Sequence, residues 1–272
     1  KRDAYLQQLI ERKDNGMIKV ITGIRRCGKS FLLFTIFKRY LLENGVGSDH
    51  IIEIALDGIE NEELRDPKMC FKYIKDTMND DGKYYLLLDE VQFMPRFEEV
   101  LNSLLRMNNI DVYVTGSNSR MLSSDIMTEF KDRGDEIRVS PLTYSEFYNA
   151  FAGEKRYAWR EYCTSGGMPL VLSKQTHEEK SKYLKDLFAK TYISDIIERN
   201  RIANEQWVLE DILNVTASSI GSLTNSSKLA NTFQSTKHIS ITPNTIKRYL
   251  GFFIDAFIMQ KASRFEVKCQ KS

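Results

Sequence analysis

A glycine-rich stretch near the amino end carries the first residues that could do chemistry. Gly23, Gly28, Lys29 and Ser30 have the Gly-x4-Gly-Lys-Ser spacing of a phosphate-binding loop, or P-loop. Glycines let successive backbone N–H groups face an anion, a lysine reaches the β- and γ-phosphates, and a serine hydroxyl binds Mg²⁺. The predicted nucleotide contacts are Gly23, Ile24, Arg25, Arg26, Cys27, Gly28, Lys29, Ser30 and Phe31.

The segments on either side of this loop agree with the motif. Residues 17–21 form a short β-rich run that ends at Thr22, and apolar residues from Lys29 onward have the spacing of a buried helix face. Asn44-Gly45 is a helix stop signal, which predicts a helix to about Glu43. A strand, a loop and a helix in this order are the context that a P-loop requires.

Two adjacent carboxylates form the second chemical feature. Asp89 and Glu90 follow the apolar run 84–88, and the carboxyl ends of parallel strands form the ligand-binding edge of such a sheet. As a Walker B motif, Asp89 and Ser30 would hold Mg²⁺, and Glu90 would be the base that deprotonates water. The alternative is a strand that ends in a solvated acidic turn.

The type of nucleotide follows from two absences in the sequence. Asp89 does not begin an Asp-x-x-Gly motif, and no Asn-Lys-x-Asp motif occurs anywhere. ATP is therefore favoured over GTP, and the adjacent Asp-Glu pair favours hydrolysis over phosphoryl transfer to a small molecule.

Polar residues after later strands could complete the site. Ser117 and Asn118 follow the predicted strand 110–115 and could act as a sensor that touches the γ-phosphate, or could only cap a turn. Arg133 precedes the predicted strand 136–139 and could stabilise transition-state charge, in cis or from a neighbouring subunit of a homo-oligomer. The alternative for Arg133 is a solvated arginine in a charged loop.

Length and composition indicate a soluble, two-domain chain. A chain of 272 residues exceeds one average core, and 42% hydrophobic with 28% charged residues is typical of globular proteins. No apolar run approaches the ~18 residues that span a bilayer, so we expect a cytoplasmic protein without membrane contact. The cysteines have no metal-site spacing and are interpreted as free thiols: Cys27, Cys70, Cys163 and Cys269.

The second half predicts helices. One should begin at Thr143 with an aromatic face and end near Phe151, and a longer amphipathic one should run from Glu178 to about Asn200. The lysines on the polar face of the longer helix are expected to be solvated: Lys180, Lys182, Lys185 and Lys190.

The carboxyl-terminal segment is basic. From Asn225 onward eight lysines and arginines stand against two acidic residues. Three helices followed by a hairpin at 257–267 would form a winged helix, whose third helix presents Asn244, Lys247 and Arg248 as candidate contacts to DNA. The alternative is a helical domain that packs on the first domain or on a protein partner.

Together these motifs resemble one prokaryotic family. In chain order they are Gly-x-Arg-Arg-x-Gly-Lys-Ser, Leu-Leu-Leu-Asp-Glu-Val-Gln, Thr-Gly-Ser-Asn-Ser, an Arg-Gly pair before a strand, Ser-Pro-Leu-Thr-Tyr-Ser-Glu-Phe and Gly-Gly-Met-Pro. The chain is similar to AAA-superfamily ATPases of bacteria and archaea that join an N-terminal ATPase domain to a C-terminal region of unassigned function. Other members commonly continue into a restriction-endonuclease-like domain, which we expect to be absent from this chain or cut away from it.

The resemblance carries structural implications and has three departures. It implies that the strand ending at Thr115 lies between the P-loop and Walker B strands, with a sensor at Ser117 or Asn118 and a finger at Arg133. The departures are Ile24 in place of a common proline, Cys27 in place of a small aliphatic residue, and Arg133 before rather than after its glycine.

The expected fold is α/β: a P-loop NTPase of the ASCE/AAA type, with a parallel sheet flanked by helices, then a helical lid and a winged-helix-like domain. The expected divisions are 1–140 for the ATPase core, 141–203 for the lid and linker helix, and 204–272 for the winged-helix-like domain. Two function classes fit: an ATPase that couples hydrolysis to a partner, and a nucleotide-gated binding module with little turnover.

Overall fold

The computed structural model describes residues 2–117, 134–202, 206–237 and 240–262. The chain forms two compact units, residues 1–192 and residues 193–272. The P-loop and Walker B motifs both lie in the first unit.

The first unit contains a five-stranded parallel sheet. Its strands are β1 (Ile18–Thr22), β2 (Ile51–Ala55), β3 (Tyr84–Asp89), β4 (Ile110–Gly116) and β5 (Gly134–Arg138). The order across the sheet is β2-β3-β4-β1-β5. Strand β4 pairs with β1 on one side and with β3 on the other, so the expected position of the strand through Thr115 is confirmed.

Helices cover the sheet on both faces, and further helices follow it in the chain. They are α1 (Asp3–Glu11), α2 (Lys29–Phe31), α3 (Lys38–Glu43), α4 (Pro67–Thr77), α5 (Phe97–Leu104), α6 (Tyr144–Ala150), α7 (Ala158–Ser165) and α8 (His177–Asp186). A π-helical stretch, Leu32–Phe37, joins α2 to α3, so the helix predicted from Lys29 to Glu43 is present with a widened middle.

The core divides into two layers because the strands bury side chains on both faces. One layer packs Ile74 of α4 and Leu101 of α5 against the sheet, and the other packs Leu9 of α1 and Phe37 against the opposite face. A sheet covered on both faces explains why β1, β3 and β4 consist entirely of buried residues. The expected α/β architecture is confirmed.

The helices after the sheet form a smaller layer with one departure from expectation. Thr143 and Glu146 form a capping box at the start of α6, where the sequence predicts a helix start. Lys182 and Lys185 are exposed as expected, but Lys180 is buried, because its ammonium bonds to Glu161 of α7 at 2.7 Å. The prediction of a solvated Lys180 is therefore wrong, and the Lys190 side chain lies outside the described part of the chain.

The second unit is helical in the described residues. After a π-helical stretch, Leu187–Ile193, its helices are α9 (Ser194–Asn200), α10 (Gln206–Ser218), α11 (Ser226–Lys237) and α12 (Pro243–Asp255). Thr242 caps α12 by accepting the Thr245 N–H, with proline at the first helical position as predicted. Residues 256–262 contain no strand, and the rest of the expected hairpin lies outside the described residues.

The structure also bears on the cysteines and on the possibility of a membrane span. Cys27, Cys70 and Cys163 are free thiols, as interpreted from the sequence, while Cys269 lies outside the described part. Among the helices of the described ranges, none is both long and apolar enough to cross a membrane.

Candidate functional site

The conformation of the P-loop favours glycine at two positions, for two different reasons. Gly23 has a φ of +145°, and a Cβ there would lie 2.1 Å from the carbonyl oxygen of Val139. Gly28 precedes α2 with a φ of +99°, in the left-handed region that favours glycine. The loop between them joins the carboxyl end of β1 to the amino end of α2, as the sequence predicts.

Lys29 is held inside this loop. Its side chain is 3% exposed, and its ammonium donates to the carbonyl oxygens of Gly23 at 3.0 Å and Ile24 at 3.3 Å. The same ammonium lies 4.0 Å from Oε1 of Glu90. The structure therefore brings the predicted phosphate-binding lysine and the candidate base into one small volume.

Asp89 and Ser30 form the candidate metal site. Asp89 ends β3, is 3% exposed, and accepts hydrogen bonds from the hydroxyls of Thr115 and Ser30. Burial raises the pKa of the Asp89 carboxyl above its ordinary value, the two hydrogen bonds oppose that shift, and the nearby Glu90 charge adds to it. A hydroxyl and a carboxylate are oxygen ligands of the kind that Mg²⁺ prefers, so the donor set fits this ion.

The site offers a magnesium ion few protein ligands. The described residues contain no cluster of three or more His, Cys, Asp or Glu side chains that could hold a metal. A magnesium ion typically keeps several waters and binds one or two carboxylates together with substrate phosphates. Ser30 and Asp89 would thus supply two of the ligands of a nucleotide-bound ion, and water and phosphate oxygens would supply the others.

Glu90 is oriented by two hydrogen bonds. Its backbone has a φ of +51°, and its N–H donates to the Thr115 hydroxyl at 3.0 Å. Its Oε2 accepts from Nε2 of Gln92, which also lies 3.4 Å from the Ser117 hydroxyl. Thr115 therefore links the Asp89 carboxylate to the Glu90 backbone. Gln92 links the candidate base to the candidate sensor.

The structure describes some of the other predicted site residues and leaves two outside the described ranges. Ser117 is buried next to the Gln92 amide, at the same sheet edge as Glu90. Asn118 and Arg133 lie outside the described residues. The Cys27 thiol is buried against the Val139 carbonyl, so only the backbone of Cys27 could meet a phosphate, and the Phe31 side chain is mostly exposed.

Sequence reasoning missed three residues of this site. Thr115 and Gln92 had a signal, because a hydroxyl and an amide flank the predicted strand ends at the ligand edge. Arg2 had none in the pattern of the chain. It is 5% exposed and donates to the carbonyl oxygens of Cys27 at 2.6 Å and Ser140 at 2.7 Å.

The second unit has a basic face on α12. On α12, Asn244, Lys247 and Arg248 are exposed, while Ile246 and Tyr249 are buried. The helix is therefore amphipathic in the sense predicted, with its basic residues accessible.

Two family models match successive parts of the chain. Residues 15–148 match the model described as an AAA domain, and residues 156–272 match a domain of unknown function (DUF8612). The first match contains the P-loop, both carboxylates and Ser117, and the second contains α12.

Two curated relatives match almost the whole chain. An uncharacterized protein of Haemophilus influenzae is 32% identical over 273 residues, which cover 98% of this chain and 67% of that protein. An uncharacterized protein of Methanocaldococcus jannaschii is 28% identical over 270 residues, which cover 92% of this chain and 57% of that protein. The chain thus spans between about half and two thirds of the length of these relatives.

Solved structures show more distant likeness. Cdc6p from Pyrobaculum aerophilum is 12% identical with a TM-score of 0.46, over 94% of this chain and 86% of that chain. The Aeropyrum pernix ORC1 protein, solved in complex with DNA, is 12% identical with a TM-score of 0.42, over 94% and 83%. Similarity at this level is too weak to transfer a function.

Proposed function

Because the chain belongs to the AAA superfamily, with a P-loop ATPase domain followed by a region of unknown function, we propose that it binds ATP with Mg²⁺ and hydrolyses it to ADP and phosphate. The observation that carries this proposal is the placement of Glu90. It follows the buried Asp89, shares Thr115 with it, and lies 4.0 Å from the Lys29 ammonium.

Each side chain has one task in this proposal. Lys29 binds the β- and γ-phosphates, and Ser30 with Asp89 holds Mg²⁺, which neutralises developing phosphate charge. Glu90 accepts a proton from the attacking water as the bond between the γ-phosphorus and the bridging oxygen breaks, which releases ADP and phosphate. Ser117 positions the water, and Asn118 and Arg133 are proposed as a second sensor residue and as a finger in cis or from a neighbouring subunit.

A second candidate function is a nucleotide-gated binding module with little turnover. One contact favours it: the Tyr192 hydroxyl, beyond α8, donates to the P-loop carbonyl of Arg25 at 3.2 Å and lies 3.7 Å from the sulfur of Met168. A loop tied in this way to the helical lid could transmit nucleotide binding without hydrolysis. Steady-state turnover distinguishes the two candidates, because only the first releases phosphate repeatedly.

We expect Lys29→Ala to weaken Mg-ATP binding by about 10- to 150-fold, the usual value of hydrogen bonds to a charged group. Calorimetric titration of the folded variant measures this, and phosphate release by wild type measures turnover. Lys72→Ala, which removes an exposed lysine of α4, is the control and should bind as wild type. Unchanged affinity in folded Lys29→Ala would contradict the nucleotide site.

We further propose that the second unit contacts nucleic acid through α12, with residues 204–272 as a winged-helix-like domain, 1–140 as the ATPase core and 141–203 as lid and linker. The supporting observation is that Lys247 and Arg248 are exposed together on one face of α12. A basic helix face attracts phosphates whatever the base sequence.

Exchanging both residues for glutamate, Lys247→Glu with Arg248→Glu, should weaken DNA binding and lower its salt dependence by about 0.9 in slope for each lost contact. Fluorescence anisotropy across a salt series measures both quantities. The control is Lys72→Glu with Lys75→Glu on α4, which changes the net charge equally in the first unit. If wild type binds neither DNA nor RNA at low salt, α12 is a protein-binding surface instead.

A further inference from the structure

Arg2 is a buried cation that contacts both the P-loop and the lid. It immediately precedes α1, and its side chain is 6% exposed. Its guanidinium donates to the carbonyl oxygens of Cys27 and Ser140 and lies 3.8 Å from the Glu146 carboxylate. All three partners lie in the first unit, and neither proposed function gives Arg2 a role.

The bond to Cys27 bears on how the loop meets phosphate. The carbonyl of Cys27 and the N–H of Gly28 belong to the same planar trans peptide, so they point in opposite directions. A donor that fixes the carbonyl oxygen therefore also fixes the direction of the Gly28 N–H, away from the guanidinium. Gly28 follows the loop with a φ of +99° and has no side chain to restrain it.

The charge of Arg2 strengthens the same peptide. Hydrogen bonds from an ionised donor are roughly twice as strong as neutral ones, and hydrogen bonds in a chain polarise one another. A carbonyl that accepts from a buried guanidinium makes its N–H a better donor on the other side. The interaction is also shielded from water, which strengthens it further.

We propose that Arg2 is a positioning residue for the nucleotide phosphates, which orients and polarises the Cys27–Gly28 peptide so that the Gly28 N–H binds a phosphate oxygen. The proposal rests on the proposed nucleotide site. The same guanidinium bonds to Ser140 and pairs with Glu146, the residue of the capping box at the start of α6. Arg2 thus connects the phosphate loop to the first helix of the lid.

The test compares Arg2→Met with wild type against two probes, Mg-ADP and Mg-tripolyphosphate, by calorimetry. Both probes should bind to Arg2→Met about 10- to 100-fold more weakly than to wild type. The two factors should be similar, because Arg2 acts on the contact between the Gly28 N–H and a phosphate oxygen, which both probes contain. At saturating ATP, kcat should stay within about threefold of wild type while KM rises, since Glu90 and Asp89 are untouched. A merely structural defect would lower kcat and the unfolding temperature together.

Two further variants complete the test. Arg2→Lys keeps the charge, but one ammonium replaces a fork that bonds two carbonyls, so its loss of affinity should be intermediate. Arg12→Met is the matched control. Arg12 lies just after α1 and forms a 2.9 Å ion pair with Asp135, at the opposite end of β5 from Ser140. Its loss should not alter the binding of either probe.

The remaining outcomes are decisive. Weaker ADP binding with unchanged tripolyphosphate binding would place Arg2 at the base or ribose and overturn the proposal, as would unchanged binding of both probes. A wild type that binds neither probe would instead overturn the nucleotide site itself.

Discussion

Replacing Glu90 with glutamine should lower kcat for ATP hydrolysis by about 10²–10⁴ and leave ATP bound, because a positioned general base contributes that factor. An amide cannot accept the proton of the attacking water. It can still accept a hydrogen bond from Gln92, as the Oε2 of Glu90 does, so the turn after β3 should keep its shape. Phosphate release at saturating ATP and calorimetric affinity for Mg-ATP together measure the separation of chemistry from binding.

The control for this variant is Glu99→Gln. Glu99 lies on α5 and pairs only loosely with the exposed Arg96, at 3.4 Å, so its loss should leave kcat within about twofold of wild type. Wild-type turnover in Glu90→Gln would move the base to another group at this sheet edge. Loss of both binding and turnover would show that Glu90 is needed to hold Lys29, from which it lies 4.0 Å.

The parts of the fold that depend on neighbouring residues could be predicted from sequence. The P-loop and the Asp89-Glu90 pair are short patterns whose chemistry and local conformation go together, and both lie where predicted. The position of β4 between β1 and β3 came from the family resemblance, since strand order has no local signal. The sheet confirms it.

Contacts between distant segments were not predictable in the same way. Arg2 bonds to Ser140, which lies 138 positions away, and Lys180 is buried because Glu161 on α7 faces it. A helix pattern places Lys180 on a polar face, and nothing local shows that another helix covers that face. The same limit applies to Gln92, whose contact with Ser117 depends on β3 and β4 being adjacent.

One long-range pair does have a signal in the sequence. Lys19 and Asp111 are opposite charges inside two otherwise apolar strands, β1 and β4, which pair in parallel. The structure buries both side chains, with Lys19 fully enclosed, and joins them by a salt bridge at the amino edge of the sheet. Asp111 also accepts from the Tyr113 hydroxyl at 2.8 Å and from the Asp14 N–H at 3.0 Å.

This pair lies at the opposite edge of the sheet from the proposed ATP site, so its role should be visible in stability alone. Burial lowers the pKa of the Lys19 ammonium, and the Asp111 carboxylate opposes that shift, which means that the charged lysine depends on its partner. Removing one member of a buried pair leaves an uncompensated charge and typically costs about 3–5 kcal/mol. An exposed pair typically contributes about 0–1 kcal/mol.

Asp111→Asn should therefore lower the free energy of unfolding of the first unit by about 3–5 kcal/mol. The amide keeps the shape of the side chain but leaves the Lys19 ammonium unpaired. Urea denaturation followed by Trp159 fluorescence, in a Trp207→Phe background, reports the first unit alone, because Trp207 belongs to the second. Glu53→Gln is the control, since it breaks the partly exposed pair between Glu53 of β2 and Lys38 of α3.

The double variant Lys19→Met with Asp111→Asn separates charge from packing. With the ammonium gone, no buried charge is left unpaired, so we expect the double variant to be more stable than Asp111→Asn alone. If Asp111→Asn costs no more than Glu53→Gln, the pair is not the constraint that its burial implies. If the double variant is less stable than Asp111→Asn, the Lys19 ammonium still stabilises the fold without the carboxylate, through its remaining bond to the carbonyl oxygen of Met17 at 3.0 Å.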